Sequence, residues 1–199
     1  MAKKVDHDQR KKEIVEKALR LFSQVGYDNV SLIMIAAAAG VSRTVLYRYF
    51  CSKREVMDAS ILQVAGLIES RCTKIMSSRV KASEKLIGIC HAVADEMFAH
   101  REFVIAVFDF VVGMVRAGAD LNKKISEYTS GTRNAIKLLV VHGKRSGEFP
   151  DVLLEERISD ALYAEFESCA MRIVLNTEHN ANAAKVRFSD IIHAISNWS

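Results

Sequence analysis

Hydrophobic residues recur at helical spacing along most of the chain. In the first such segment they fall at i, i+4, i+7, i+8 and i+11, which places them on one face of a helix. This face consists of Ile14, Ala18, Leu21, Phe22 and Val25. The pattern predicts a helix over 8–25 that ends at Gly26. No sustained alternation of apolar and polar residues indicates a strand, so the predicted fold class is all-α.

Three further helix starts follow at short intervals. Ser31 is placed as the N-cap of a helix over 32–39, and Ser42 as the N-cap of a shorter helix that runs through Tyr49. Gly40 lies between these two segments and predicts the turn. Ser52 opens a fourth helix and has a glutamate three residues on, which is the spacing of a capping box.

Longer segments with apolar residues at helical spacing follow, and short polar stretches separate them. They predict helices near 53–77, 83–98, 101–117, 121–146, 152–176 and 182–197. We therefore expect a three-helix N-terminal domain over 1–54 and a helical C-terminal domain over 55–199. The fourth helix begins at the boundary and continues into the second domain, so both domains share one rigid element.

Charge is distributed unevenly over the 199 residues. Residues 1–54 carry eleven lysines and arginines against five acids, a net charge of +6, whereas the remainder sums to −2. A basic front end on a slightly acidic body is typical of a protein that binds a polyanion. A solvated basic face without such a partner is the alternative on charge alone.

The cysteines and the apolar runs narrow the class of protein. Cys51, Cys72, Cys90 and Cys169 form no C-x-x-C pair and have no zinc-type spacing, so we expect small buried apolar residues and no metal or cofactor. A redox sensor is the alternative. The longest apolar run, 103–115, is too short to span a bilayer, and the basic start has no apolar stretch behind it. We expect a soluble cytoplasmic protein that needs no membrane.

The stretch from Ala36 to Lys53 has the pattern of a helix-turn-helix. The second helix would direct Arg43, Thr44, Tyr47 and Arg48 outward, where a major groove could receive them. Arginine bonds a guanine edge or a phosphate, and tyrosine hydroxyls and the Lys53 ammonium suit phosphates. The helix start at Ser31 adds main-chain donors for another phosphate. The alternative is that the aromatic side chains are core and the basic ones solvated.

These residues carry a resemblance. Residues 8–58 resemble the DNA-binding domain of the TetR family of transcriptional regulators in the ordered pattern ALRLFSQVGYDNVSLIMIAAAAGVSRTVLYRYFCSKREVM. The resemblance implies a sequence-specific regulator, a repressor, that binds double-stranded DNA. The chain departs from the family at Thr44-Val45, where Gly-Thr is common, and Val45 lacks the hydroxyl that would bond a phosphate. The expected DNA-binding set is Ser31, Ser42, Arg43, Thr44, Val45, Tyr47, Arg48, Tyr49 and Lys53.

The family resemblance also implies a homodimer formed by the last two helices and a cavity for a small-molecule effector. Apolar stripes predict the dimer interface as Leu154, Ile158, Leu162, Cys169, Phe188, Ile192, Ile195 and Trp198. A small, mainly apolar effector would meet Met97, Phe103, Asp109, Phe110, Met114, Tyr128, Tyr163 and Phe166. Both sets could instead close the core of one protomer, and Asp109 could simply face water.

Two other functional classes are compatible with a helical chain of this length. The chain has no nucleophile-elbow, zinc-protease, P-loop or Rossmann motif, so we expect no enzyme. His91, His100 and Asp109 could make an acid/base pair only if the fold brought them together. The alternative within the DNA-binding class is a helix-turn-helix protein without an effector, which acts through a protein partner or through nucleoid structure.

Overall fold

The computed structural model describes residues 2–197, and side chains over 7–120 and 123–197. Its helices are α1 Ala2–Val25, α2 Leu32–Ala38, α3 Arg43–Leu46, α4 Lys53–Met76, α5 Ala82–Ala99, α6 Arg101–Arg116, α7 Leu121–Arg145, α8 Glu155–Val174 and α9 Asn182–Ser196. The described residues include no strand, which confirms the all-α prediction. Most ends lie within a few residues of their predicted positions. The exceptions are α1, which begins at Ala2 instead of Asp8, and α3, which ends before Tyr49.

Short-range hydrogen bonds fix the starts of the small helices. The Ser31 hydroxyl accepts from the Met34 N–H, and the Ser42 hydroxyl accepts from the Val45 N–H at 3.2 Å. Both serines therefore act as the predicted N-caps. At α4 the Ser52 hydroxyl accepts from the Glu55 N–H, while the Glu55 carboxylate accepts from the N–H of Cys51. This is a capping box shifted by one residue.

The turn between α2 and α3 depends on Gly40. Its φ is +64°, a left-handed conformation that costs L-residues with a side chain about 1 kcal/mol or more. The turn is closed by the Val41 N–H, which donates to the Ala36 carbonyl at 3.0 Å. Ala36 itself is buried, as expected of a small residue where two helices approach each other.

One of two compact units combines residues 1–65 with 100–121. Its core contains side chains from α1 and α6, which pack against each other, and from the helix-turn-helix. The buried residues include Ile14, Phe22, Ile35, Leu46, Phe50, Met57, Phe103 and Phe110. This grouping differs from the predicted boundary at residue 54, because the α1–α6 packing and the first half of α4 belong to the same unit as the helix-turn-helix.

The other unit combines residues 66–99 with 122–199. Its core is built from α5, α7, α8, α9 and the second half of α4, and includes Leu86, Ile136, Leu162, Phe166 and Phe188. The Glu148 carboxylate in the α7–α8 connection accepts from the Ala82 and Ser83 N–H groups at the start of α5. Burial alone would raise the Glu148 pKa, but these bonds and those from the Ser83 and Ser146 hydroxyls outweigh it, so the pKa is lowered.

Three of the four cysteines are buried and all four are free. Burial raises the pKa of the Cys72 and Cys90 thiols, and raises that of Cys169 to about 11. These thiols are therefore protonated near neutral pH and behave as small apolar groups. The prediction fails at Cys51, which is exposed in the turn before α4. Among the described helices, none has the length and hydropathy needed to cross a bilayer.

Candidate DNA-binding site

The four side chains predicted to face DNA from α3 are all exposed. They are Arg43, Thr44, Tyr47 and Arg48. Leu46, which lies between them in the sequence, is fully buried and anchors the helix to the core. Because α3 is one turn long with one buried anchor, it presents the other side chains outward as a compact polar and basic surface. Two guanidinium groups, a phenol and a hydroxyl match the donors that proteins use on base edges and phosphates.

Ser31 and Ser42 are exposed, and each accepts a main-chain hydrogen bond as an N-cap. Their hydroxyl protons can still donate to a phosphate oxygen, because a hydroxyl both donates and accepts. Val45 and Tyr49 are half-buried, so they present less surface than their neighbours. The expected contacts at these two positions stay predictions.

Lys53 serves a purpose that the sequence did not indicate. Its ammonium donates to the main-chain carbonyls of Tyr27 at 2.8 Å and Asp28 at 3.2 Å, and lies 4.3 Å from the centre of the Tyr27 ring. Two of its three N–H groups are thus used to hold the α1–α2 connection against the start of α4. The expected phosphate contact of Lys53 stays a prediction, with one N–H group left for DNA.

Tyr27 joins several parts of this unit and was missed as a functional candidate. Its ring centre lies 5.8 Å from that of Phe22 and 4.8 Å from that of Phe110 on α6, edge to face in the second case. Burial raises the pKa of its hydroxyl, although nearby Arg54 opposes the change. Tyr27 therefore connects α6, the end of α1 and Lys53 of α4. Its only sequence signal was the Gly26-Tyr27 pair of the family pattern.

The residues predicted to line an effector cavity are divided between the two units, and their contacts with an effector stay predictions. Phe103, Phe110 and Met114 are buried in the unit that contains the helix-turn-helix, and Asp109 is exposed there. Met97, Tyr128, Tyr163 and Phe166 belong to the other unit. There Tyr163 packs edge to face on Phe166, and Phe166 packs on Phe188. Burial raises the pKa of Tyr163 to about 12. Tyr163 and Phe166 are thus core side chains of their own unit.

An open groove of about 340 Å³ lies between the second half of α4 and α7. Its wall consists of Glu69, Cys72, Thr73, Met76, Gly131, Asn134, Ala135 and Leu138. None of the predicted effector residues is among them. Met76, Ala135 and the 60 % exposed Leu138 give the groove apolar surface, and Glu69 and Asn134 add polar groups. The missed signal was the small residue Gly131 opposite Glu69, where an added Cβ would lie 3.4 Å from the carboxylate.

The predicted dimer interface also needs correction. Leu162, Cys169, Phe188, Ile192 and Ile195 are buried within their own protomer, so they are not available to a partner chain. Ile158 is half-buried, Leu154 is 53 % exposed, and Trp198 lies outside the described residues. The apolar stripes on α8 and α9 therefore close the core of the unit. A different, exposed row was missed because its residues are mostly small: Ala161, Ala164, Met171 and Leu175 on α8, and Ala183, Val186 and Ala194 on α9.

His91 has a structural role in the described contacts. Its Nε2 lies 3.1 Å from both the Lys185 carbonyl and the Ser189 hydroxyl, and so links α5 to α9. Asp95, one turn further along α5, pairs with Lys185 at 2.5 Å. These contacts give His91 a structural role, which is to connect α5 to α9. His100 and Asp109 both belong to the other unit, and the acid/base pair stays a prediction.

A capped, exposed recognition helix on a helix-turn-helix, followed by a helical body, defines a DNA-binding regulator. A sequence profile described as "Bacterial regulatory proteins, tetR family" matches residues 14–59. This match covers the helix-turn-helix and about a quarter of the chain, and it identifies that part as similar to the DNA-binding domain of the tetR family.

Three similar proteins match most of the length of this chain. The fatty acid metabolism regulator protein of Bacillus subtilis is 20% identical over 83% of this chain and 84% of its own. The nicotine-responsive repressor HdnoR of Paenarthrobacter nicotinovorans is 22% identical over 82% of both chains. The crystal structure of FadR from Bacillus subtilis in complex with stearoyl-CoA superimposes with a TM-score of 0.79 and 18% identity, covering 94% of this chain and 99% of that one.

Proposed function

We propose that this protein is a homodimeric repressor that binds an operator through α3 and leaves it when an effector binds the body. The observation that carries the proposal is the exposure of Arg43, Thr44, Tyr47 and Arg48 around the buried anchor Leu46. Arg43 and Arg48 read base edges, and Tyr47 holds a phosphate. The protein works in the cytoplasm, where its DNA is.

The exposed row on α8 and α9 supports a dimer in which each helix pairs with its copy. On α8 the row runs through 161, 164, 168, 171 and 175, which is the alternating three- and four-residue spacing of a helix–helix seam. Met171 and Leu175 are 42 % and 63 % exposed, and Val186 on α9 is 59 % exposed. The small residues Ala161, Ala164 and Ser168 at the other positions of α8 allow close approach of a second backbone. The partner copy supplies the second recognition helix that a palindromic site requires.

The effector is a molecule with a long apolar portion, and an acyl thioester is the first class to test. The support is indirect: a relative of the same fold was crystallised with stearoyl-CoA, and the groove between α4 and α7 has an apolar wall. The groove volume of about 340 Å³ lies at the low end of small-molecule sites. It would serve as the entrance or as the site of part of the ligand.

α4 carries the signal, because its first half belongs to one unit and its second half to the other. Its first residue, Lys53, is hydrogen-bonded to the connection between α1 and α2, so a displacement of α4 would be transmitted to the helix-turn-helix. A ligand that prefers one position of α4 by 100-fold would shift the DNA-binding equilibrium by about 2.7 kcal/mol.

The experiment begins with selection of bound sequences from random duplexes by the full-length protein. We expect a palindrome whose half-sites lie about 34 Å apart, one turn of the duplex. A long-chain acyl-CoA is then added at constant DNA, with equal free CoA as the matched control. Release by the acyl-CoA alone supports the proposal. Failure to enrich any sequence overturns it, and enrichment without release by the acyl-CoA overturns the effector class and favours the alternative that acts through a protein partner or nucleoid structure.

A further inference from the structure

The first turns of α1 lie against the residues that directly follow the recognition helix. The His7 ring centre is 4.5 Å from that of Tyr49, and the Lys11 Nζ is 5.4 Å from the centre of the Phe50 ring. Tyr49 and Phe50 come immediately after Arg48 in the chain. This part of α1 therefore borders the surface formed by the exposed side chains of α3.

Lys11 differs from two nearby cationic side chains, Arg10 and Lys53, in the partners of its charged group. Arg10 pairs with Glu13 at 2.8 Å, and Lys53 is held by two carbonyls. Among the described side chains, no carboxylate lies within ion-pair distance of Lys11, which is exposed to solvent. Its ammonium faces the Phe50 ring, an attraction that restricts the flexible side chain to one region without neutralising its charge. Lys11 is thus a held cation that remains available for an anion.

Docking geometry brings a phosphate to this place. In helix-turn-helix proteins the N-terminal residues of the second helix contact base edges, so the chain after that helix emerges toward the wall of the groove. The major groove is about 12 Å wide and its walls are sugar-phosphate backbone. Residues packed on Tyr49 and Phe50 therefore lie within lysine reach of that backbone. We propose that Lys11 is a phosphate contact outside the helix-turn-helix, so that α1 and α3 hold the duplex together. This inference rests on the proposed DNA-binding function.

The test uses the full-length protein and a mixed-sequence duplex of about 30 base pairs, so that no operator is needed. Dissociation constants are measured between about 50 and about 200 mM salt for wild type, Lys11→Gln, Lys11→Arg and Lys17→Gln. Lys17→Gln is the matched control: Lys17 is an exposed lysine on the same helix, rotated by about 120° from Lys11. For Lys11→Gln we expect the slope of log K against log salt to fall by about 0.9 per bound protomer. Affinity at low salt should fall on the order of tenfold.

The variants distinguish a failure of the Lys11 phosphate contact from a failure of the proposed DNA-binding function. Lys11→Arg should keep the wild-type slope, because it keeps the charge, and Lys17→Gln should keep it because its charge lies elsewhere. Equal slopes for Lys11→Gln and Lys17→Gln would overturn the phosphate contact and leave DNA binding in place. A wild-type protein that ignores the duplex at low salt would overturn both.

Discussion

The recognition helix α3 and the two last helices, α8 and α9, use their buried and exposed faces in opposite ways. α3 buries a single side chain, Leu46, and exposes its large polar residues. α8 and α9 bury their large apolar residues, including Phe166 and Phe188, and expose rows rich in alanine. In α3 the exposed residues are the conspicuous ones, whereas in α8 and α9 the conspicuous residues are core.

This difference follows from helix length and from the number of neighbours. A helix of one turn has room for one anchor, so most of its other side chains are left for a partner. A helix of four or five turns that packs on α5 must first fill the protomer core, which needs large side chains without voids. The surface that remains for a second copy then favours small residues, because they let two backbones approach. Large apolar side chains at helical spacing therefore indicate the core of the protomer in preference to an interface with a second copy.

The largest expected effect comes from a pair of neighbouring changes on α9. Phe188→Ala removes a fully buried ring and should lower the free energy of unfolding by about 3–5 kcal/mol. Val186→Ala removes an exposed side chain and should leave the protomer stability within about 0.5 kcal/mol while weakening the dimer. Denaturant unfolding and sedimentation at several concentrations would measure the two quantities. A dimer lost with Phe188→Ala at full protomer stability would contradict our assignment of the faces.

On α3 the corresponding test is Arg48→Ala. If Arg48 reads a base, binding to the selected operator should weaken by about 1–3 kcal/mol per half-site, with relaxed preference at one position. Repeating the selection with the variant measures the preference directly. The control is Arg20→Ala, which removes an exposed arginine of α1 and should leave the preference unchanged. A uniform loss over all sequences with an unchanged preference would make Arg48 a phosphate contact.

How much the sequence could predict depends on whether a local rule was enough. Caps at Ser31 and Ser42 and the turn at Gly40 are set by neighbouring residues, and the structure has them where the pattern placed them. The Lys53 clamp depends on carbonyls 25 and 26 residues away, which no local pattern indicates. Local patterns also give no indication of the packing of α1 on α6, or of the contact between the Tyr27 and Phe110 rings. Hydrophobic periodicity located the apolar faces of α8 and α9. It did not show whether the same protomer or a second copy covers them.

A smaller effect is expected at the turn that sets the position of α3. Gly40→Ala places a side chain at φ +64° and should lower the free energy of unfolding by about 1 kcal/mol, although no atom lies within 4 Å of the added Cβ. The matched change is Gly66→Ala in α4, where the Cβ also meets open space but φ is helical. There we expect a gain of about 0.5–1 kcal/mol. Thermal unfolding of both variants measures the difference, and an equal loss of stability at Gly66 would show that φ does not decide the outcome.

The smallest effect concerns the ion pairs that fasten α9 to α8. Arg187 donates to Glu165 at 2.6 Å and to both carboxylate oxygens of Glu178, at 2.6 and 3.1 Å. The hydrogen bonds from Arg187 hold the pKa of Glu178 below its ordinary value, against the opposing effect of burial. A carboxylate with a lowered folded-state pKa contributes stability that is fully present above its unfolded value, about 4.3, and is lost as the pH falls through the folded value.

Glu178→Gln removes that contribution, so we expect the variant to be less stable than wild type near neutral pH and to approach it as the pH falls below about 4. Unfolding midpoints measured between about pH 7 and about pH 3 would test this. Glu167→Gln, an exposed glutamate on α8, is the control and should leave the pH dependence of wild type almost unchanged. If the two variants behave alike, the Arg187 pairs are too solvated to fasten α9. The buried apolar faces alone would then hold the two helices together.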